Sequence, residues 1–127
     1  MQRCQSNALE LAKRLEKDHR VLKVRFPGLT SDPYHSRAKS FMKGFGAMIS
    51  FEVKADVAQI DKMCDSAKLI TNTTSLGGVE SIWERRRRWA TESHTIPENL
   101  IRFSVGIENI EDLWADIQCA FEAAKIN

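Results

Sequence analysis

From Ala47 to Val53 apolar and polar side chains alternate, with Ala47, Ile49, Phe51 and Val53 in one set and Met48, Ser50 and Glu52 in the other. Successive side chains of a strand point to opposite faces, so this segment is predicted to be a strand with one face buried and one face open. Such a strand needs partner strands and an apolar layer against its inner face. Both are present. Ile101, Phe103 and Val105 alternate with Arg102 and Ser104, and Leu22, Val24 and Phe26 alternate with Lys23 and Arg25 up to a break at Pro27-Gly28. The covering layer is helical. Cys4, Ala8, Leu11 and Leu15 recur at helical spacing over Gln2 to Lys17. Val57, Ile60, Cys64 and Ala67 mark a second helix behind an N-cap at Asp56, and Ile110, Leu113, Trp114, Ile117, Phe121 and Ala124 mark the last one. Asn109 is placed to cap that last helix, Asp112 to complete a capping box, and Lys125 to sit in the last turn, where a cation suits the helix dipole.

Shorter elements fill the interval. His35 to Met42 is predicted as a short helix, and Leu69 to Thr71 and Val79 to Trp83 as short strands on either side of a polar turn, Thr73 to Gly78. The expected architecture is α/β in two layers over residues 1–127 as a single domain, with helices packed on one face of a small, mostly antiparallel sheet. Arg102 and Ser104 then point away from the helices, toward solvent or a further covering element. A domain covered on that side is expected to carry a partly apolar surface there.

A net charge of +2 gives no global reason to expect nucleic acid or a membrane as partner. No stretch approaches the ~20 apolar residues of a membrane span. The charged, helix-patterned N-terminus lacks a signal peptide's apolar run, so a cytoplasmic location is expected. The three cysteines, Cys4, Cys64 and Cys119, lie far apart, without zinc or redox spacing. Cys64 and Cys119 fall in amphipathic segments and read as small buried apolar residues. His19, His35 and His94 are each isolated and read as surface or structural histidines, and no metal site is expected.

Two segments could carry chemistry. In Thr73-Thr74-Ser75-Leu76-Gly77-Gly78-Val79-Glu80-Ser81 a glycine pair permits positive φ and close approach of a ligand, and the hydroxyls and N–H groups could hold an anion. The same residues also make an ordinary turn. In Ile101-Arg102-Phe103-Ser104-Val105-Gly106-Ile107-Glu108 the arginine could hold an anionic ligand or simply be solvated on the sheet. The run Arg85 to Arg88 could bind a phosphate or polyanion, or be a strand edge paired with acidic neighbours.

SLGGVES followed by IRFSVGIENIEDLWADI closely resembles the C-terminal signature of the cystathionine gamma-synthase, cystathionine lyase and methionine gamma-lyase family. Phe26 to Leu29 with Pro33 and His35, and the segment AKSFMKGFGAMISFEV, resemble that family further back, so the likeness runs through nearly the whole chain in order. It implies the small C-terminal domain of a fold-type I enzyme dependent on pyridoxal 5'-phosphate. In such enzymes a preceding large domain carries the lysine that forms the Schiff base and most of the cofactor site, and the full-length enzyme is a homo-oligomer, a tetramer by resemblance. The expected activity is elimination or replacement of the γ- or β-substituent of a sulfur amino acid, of cystathionine gamma-lyase or gamma-synthase type. The chain alone, lacking a segment like the Schiff-base motif, is expected to bind no cofactor, to contain no catalytic residue and to be inactive. By resemblance Arg102 binds the substrate α-carboxylate, Ser75 lies beside the cofactor–lysine linkage, and Leu76 borders the same site. One departure leaves substrate preference open: many members have a Pro-Ala-containing stretch and an extra helix where this chain has the short WERRRRWATESHTIPENL. From the residues alone, a stand-alone amino-acid-binding or regulatory α/β module is an alternative. A nucleic-acid-binding domain built on Arg85 to Arg88 is a weaker one, since the net charge is near neutral and no aromatic stacking platform on a strand accompanies the arginines.

Overall fold

The structure is a computed structural model that describes residues 1–127. Its elements run α1 (Gln2–Lys17), β1 (Val21–Arg25), α2 (His35–Phe41), β2 (Met48–Val53), α3 (Val57–Ser66), β3 (Thr71–Asn72), β4 (Ile82–Arg85), β5 (Leu100–Ser104) and α4 (Ile110–Ala123). The five strands form one sheet in the order β1-β2-β5-β4-β3, antiparallel except for the β3–β4 pair. Helices α1, α3 and α4 pack together on one face of it. The two-layer α/β reading holds.

The core follows from the two periodicities. Ile49, Phe51 and Val53 of β2 and Ile101 and Phe103 of β5 are buried against Leu11 and Leu15 of α1, Ile60 and Met63 of α3, and Leu113, Ile117 and Phe121 of α4. Trp83 of β4 is fully buried, with its indole N–H donating to the Cys64 carbonyl at 3.1 Å and its ring 5.7 Å from that of Phe103. Each large side chain buried this way stabilises the fold by about 1.5–3 kcal/mol relative to exposure. Helix α3 starts on a complete capping box, in which the Asp56 side chain accepts from Gln59 N and the Gln59 side chain accepts from Asp56 N.

Several local expectations are corrected. A β-bulge between Val21 and Lys23 shifts the register of β1, so Val21 and Val24 face the core and Leu22 is exposed. The strand foreseen at Val79 begins only at Ile82, because Val79 lies in a loop across the sheet end, where its carbonyl accepts from Ile107 N. The strand foreseen at Leu69 is the two residues Thr71–Asn72, because the amides of Lys68, Leu69 and Ile70 all donate to the Asp116 carboxylate. Asn109 does cap α4, accepting from Glu111 N and Asp112 N, without the reciprocal bond foreseen from Asp112. Lys125 lies beyond the end of α4 at φ 56°, outside the last turn. Cys4 and Cys64 are buried, but Cys119 is exposed. It sits two positions, or about 200° of helical rotation, from Ile117 on the buried stripe.

Candidate functional site

The two segments singled out in the sequence interlock at one end of the sheet. Ser81 N and Ser81 Oγ donate to the two oxygens of Glu108, at 2.7 and 2.8 Å, and Ser81 Oγ accepts from Gly106 N at 2.8 Å. Gly77, at φ 78°, takes the left-handed conformation that its lack of a Cβ allows, and its N–H donates to Ser104 Oγ at 2.9 Å. A Cβ on Gly106 would overlap the Val79 carbonyl oxygen, so the loop can lie this close only over glycine. The buried Asn7 of α1 ties the far side, donating to the carbonyls of Gly106 and Glu108 at 3.0 and 2.9 Å.

Held in this way, the loop presents Ser75 and Leu76 to the outside, with Leu76 55% exposed. Arg102 stands beside them on the sheet face away from the helices, in register with Ser50 of β2 and Glu84 of β4. Its Nη2 donates to the carbonyls of Thr74 and Ser75 at 2.6 and 3.1 Å and lies 2.8 Å from Glu84 Oε1. Nε and Nη1 bond to nothing in the chain and are not among its buried unpartnered atoms, so solvent reaches them. Met48, Leu76, Gly77, Gly78 and Ser104 line an adjoining, largely apolar groove of about 200 Å³. The structure therefore brings Arg102, Ser75 and Leu76 together. The open face is partly apolar, as expected: it carries the ion pairs of Glu52 with Arg25 and of Glu84 with Arg86 and Arg102, and the exposed apolar groups Met48, Leu76 and Val79 gather at the loop end.

The arginine run divides between both faces. Arg85 turns to the helices and pairs with Asp61 of α3 through its Nε at 2.6 Å. Arg86 pairs with Glu84 and Glu92, Arg87 with Glu98, and Arg88 lies 3.3 Å from Glu84 Oε2. This is the acid-paired arrangement, with each guanidinium occupied. The histidines are scattered: His19 is exposed, His35 bonds the Pro27 carbonyl beside Phe45, and His94 contacts Arg87. No group of three His, Cys, Asp or Glu side chains could hold a metal ion. No helix is long and apolar enough to cross a membrane. All nine lysines are exposed, and none lines the groove beside Leu76. Glu84 was not foreseen. Its signal was present in the alternation, because Ile82 and Glu84 share the face of Arg102 once β4 is placed beside β5.

Residues 1–122 match the family described as Cys/Met metabolism PLP-dependent enzyme. The chain belongs to this family. It is 42% identical to a cystathionine beta-lyase of Coxiella burnetii, with 94% of this chain covering 33% of that protein. It is 38% identical to a putative cystathionine gamma-lyase of Streptomyces coelicolor, with 92% of this chain covering 29% of that protein. Among solved structures, the cystathionine gamma synthase of Xanthomonas oryzae pv. oryzae in complex with cystathionine superposes with a TM-score of 0.91 at 34% identity, over 98% of this chain and 34% of that one. The chain thus spans about a third of the length of the curated relatives it matches.

Proposed function

We propose that this chain serves as the C-terminal domain of a pyridoxal 5'-phosphate-dependent enzyme that eliminates or replaces the γ- or β-substituent of a sulfur amino acid, of cystathionine gamma-lyase or gamma-synthase type. Arg102 carries the reading. Its guanidinium is anchored through Nη2, and its free Nε and Nη1 stand on the open sheet face beside Ser75 and Leu76. In this proposal Arg102 holds the substrate α-carboxylate, Ser75 lies beside the cofactor–lysine linkage, and Leu76 forms the apolar rim. None of the chain's lysines lines the groove beside Leu76. A large domain of the same protein would supply the lysine and the phosphate site and would cover the open face. The bound cofactor supplies an electron sink, and this chain's share is position and electrostatics.

The experiment is steady-state kinetics on the chain joined to its cofactor-binding domain. Arg102→Ala should lower kcat/KM for the amino-acid substrate about 10- to 200-fold, the equivalent of one charged hydrogen-bonded contact. Arg102→Lys keeps the charge, loses the planar fork, and should recover only part of that. A change within about twofold for Arg102→Ala, in a folded variant, would remove the carboxylate role.

A further inference from the structure

We propose that Glu84 is a positioning residue for the Arg102 site, a reading that rests on the carboxylate role proposed for Arg102. Glu84 faces Arg102 across the β4–β5 ladder and is 1% exposed. Three guanidiniums converge on it. Arg102 Nη2 and Arg86 Nη1 lie 2.8 and 2.6 Å from Oε1, and Arg88 Nη2 lies 3.3 Å from Oε2. Oε2 itself accepts no hydrogen bond. Burying a carboxylate is costly unless it is paired, and nothing in the apolar core on the opposite face of the sheet uses this one. Its partners all lie on the open face or in the loop that follows β4.

The geometry shows what such a residue does for Arg102. A free arginine carries about 2 kcal/mol of rotamer entropy, which a ligand would otherwise have to overcome on binding. Nη2 donates its two N–H groups to the carbonyls of Thr74 and Ser75 and is ion-paired with Glu84 Oε1. The free donors, Nε and Nη1, lie on opposite edges of the guanidinium. A carboxylate that takes two parallel hydrogen bonds must therefore engage Nη2 and displace at least one of its partners. The carbonyls belong to exposed loop residues and can yield. Glu84 is fixed within the sheet and holds the guanidinium plane through that exchange.

A field-only account predicts the opposite sign. Deleting a negative charge beside Arg102 raises the local positive potential and should tighten carboxylate binding. Positioning predicts looser binding, so the direction of the change decides between them.

The test uses Glu84→Ala and Glu84→Gln in the chain joined to its cofactor-binding domain, alongside Arg102→Ala and the Glu84→Ala/Arg102→Ala double variant. Expected is a rise in KM of about tenfold or more for Glu84→Ala, with kcat within about threefold. Glu84→Gln keeps the shape and one acceptor and should fall between, and it carries the test if Glu84→Ala fails to fold. The double variant should be no worse than Arg102→Ala, because Glu84 acts through Arg102. A readout independent of activity is nitrogen-15 NMR of the arginine side chains in this chain. The Arg102 guanidinium should show restricted rotation in the wild type and free averaging in Glu84→Ala and Glu84→Gln, with most backbone amide shifts preserved. If Arg102→Ala leaves KM unchanged, the carboxylate reading falls and this one with it. If Arg102→Ala raises KM while the Glu84 variants leave it unchanged or lower it, only the positioning role falls. Additive losses in the double variant, or an Arg102 signal indifferent to Glu84, would equally overturn it.

Discussion

Ser81 and Glu108 lie in the two segments whose wording resembles the family signature, and in the structure they bond to each other. Their part in the site is to hold it. The Ser81 hydroxyl is fully buried, donates to Glu108 and accepts from the Gly106 amide, so its loss leaves the buried Gly106 N–H without a partner and takes one hydrogen bond from the half-buried Glu108 carboxylate. Ser81→Ala should therefore destabilise the fold by about 1–3 kcal/mol. Urea unfolding should show this as a lower midpoint at unchanged slope. A midpoint equal to wild type would mean that water replaces the hydroxyl. The cysteines make a second prediction at this scale. Burial, helped by the nearby carboxylates of Asp61 and Asp65, pushes the Cys64 thiol up to about 12. Thiolate is the reactive form, so Cys64 is inert while the fold is closed, and Cys4 is shielded by burial. A disulfide-exchange reagent should titrate one thiol quickly in the native chain, Cys119, and all three in denaturant. Three fast thiols would mean that α1 and α3 open readily in solution.

At the scale of elements, the long periodic segments were legible because periodicity reports burial directly. Helix α1 has the bounds predicted, and Ile49, Phe51 and Val53 lie inward as their alternation demands. Two of the strand errors come from features that override the local pattern. Leu22 sits at a bulge, which alternation cannot anticipate. Leu69 loses its strand to Asp116, a residue on α4 far away in sequence. The site behaved likewise. Arg102 and Ser75 came from resemblance, whereas Glu84 required knowing that β4 pairs with β5. Asp116 offers a test at this scale. It lies on the otherwise apolar inner side of α4 and accepts three successive amides, at 2.8, 3.0 and 2.9 Å. Asp116→Ala leaves Lys68, Leu69 and Ile70 without acceptors and should cost about 2 kcal/mol or more. Hydrogen exchange should quicken at these amides before it quickens in β2 or β5. Uniform acceleration would mean that the contact supports the whole fold and not just the α3–β3 connection.

Across the whole molecule, the ends of the chain are joined by a charged tie whose response to pH can be worked out. Asp18, which ends α1, receives hydrogen bonds from Arg20 Nε and Nη2 at 2.9 and 2.7 Å and one from Gln118 of α4 at 3.5 Å. Arg20 also bonds Gln118 and lies 4.3 Å over the Phe121 ring, so one ion pair links α1, the start of β1 and α4. The Arg20 guanidinium, chiefly by hydrogen bonding, lowers the Asp18 carboxyl from 3.8 to about 2, against an opposing push from burial. Glu111 is lowered in the same direction by its hydrogen bonds from Arg14. A carboxyl whose pKa is lower in the folded than in the unfolded chain binds fewer protons when folded. Its stabilisation is therefore complete above the unfolded value near 4 and is lost as pH falls toward 2. For Asp18 the shift corresponds to at most about 2 kcal/mol, and to about 1 kcal/mol once solvent screening is allowed for. Urea midpoints measured from pH 7 down to pH 2 should hold level to about pH 4 and then decline. Asp18→Asn should lower the plateau and flatten the decline, because the asparagine keeps an acceptor for Arg20 and has no proton to take up. Arg20, raised by the same pair, stays charged throughout this range and adds no slope of its own. If the acid limb of Asp18→Asn matched that of the wild type, the loss of stability would have to be assigned to other carboxylates, and the tie between the chain ends would be geometric without being an electrostatic support of the fold.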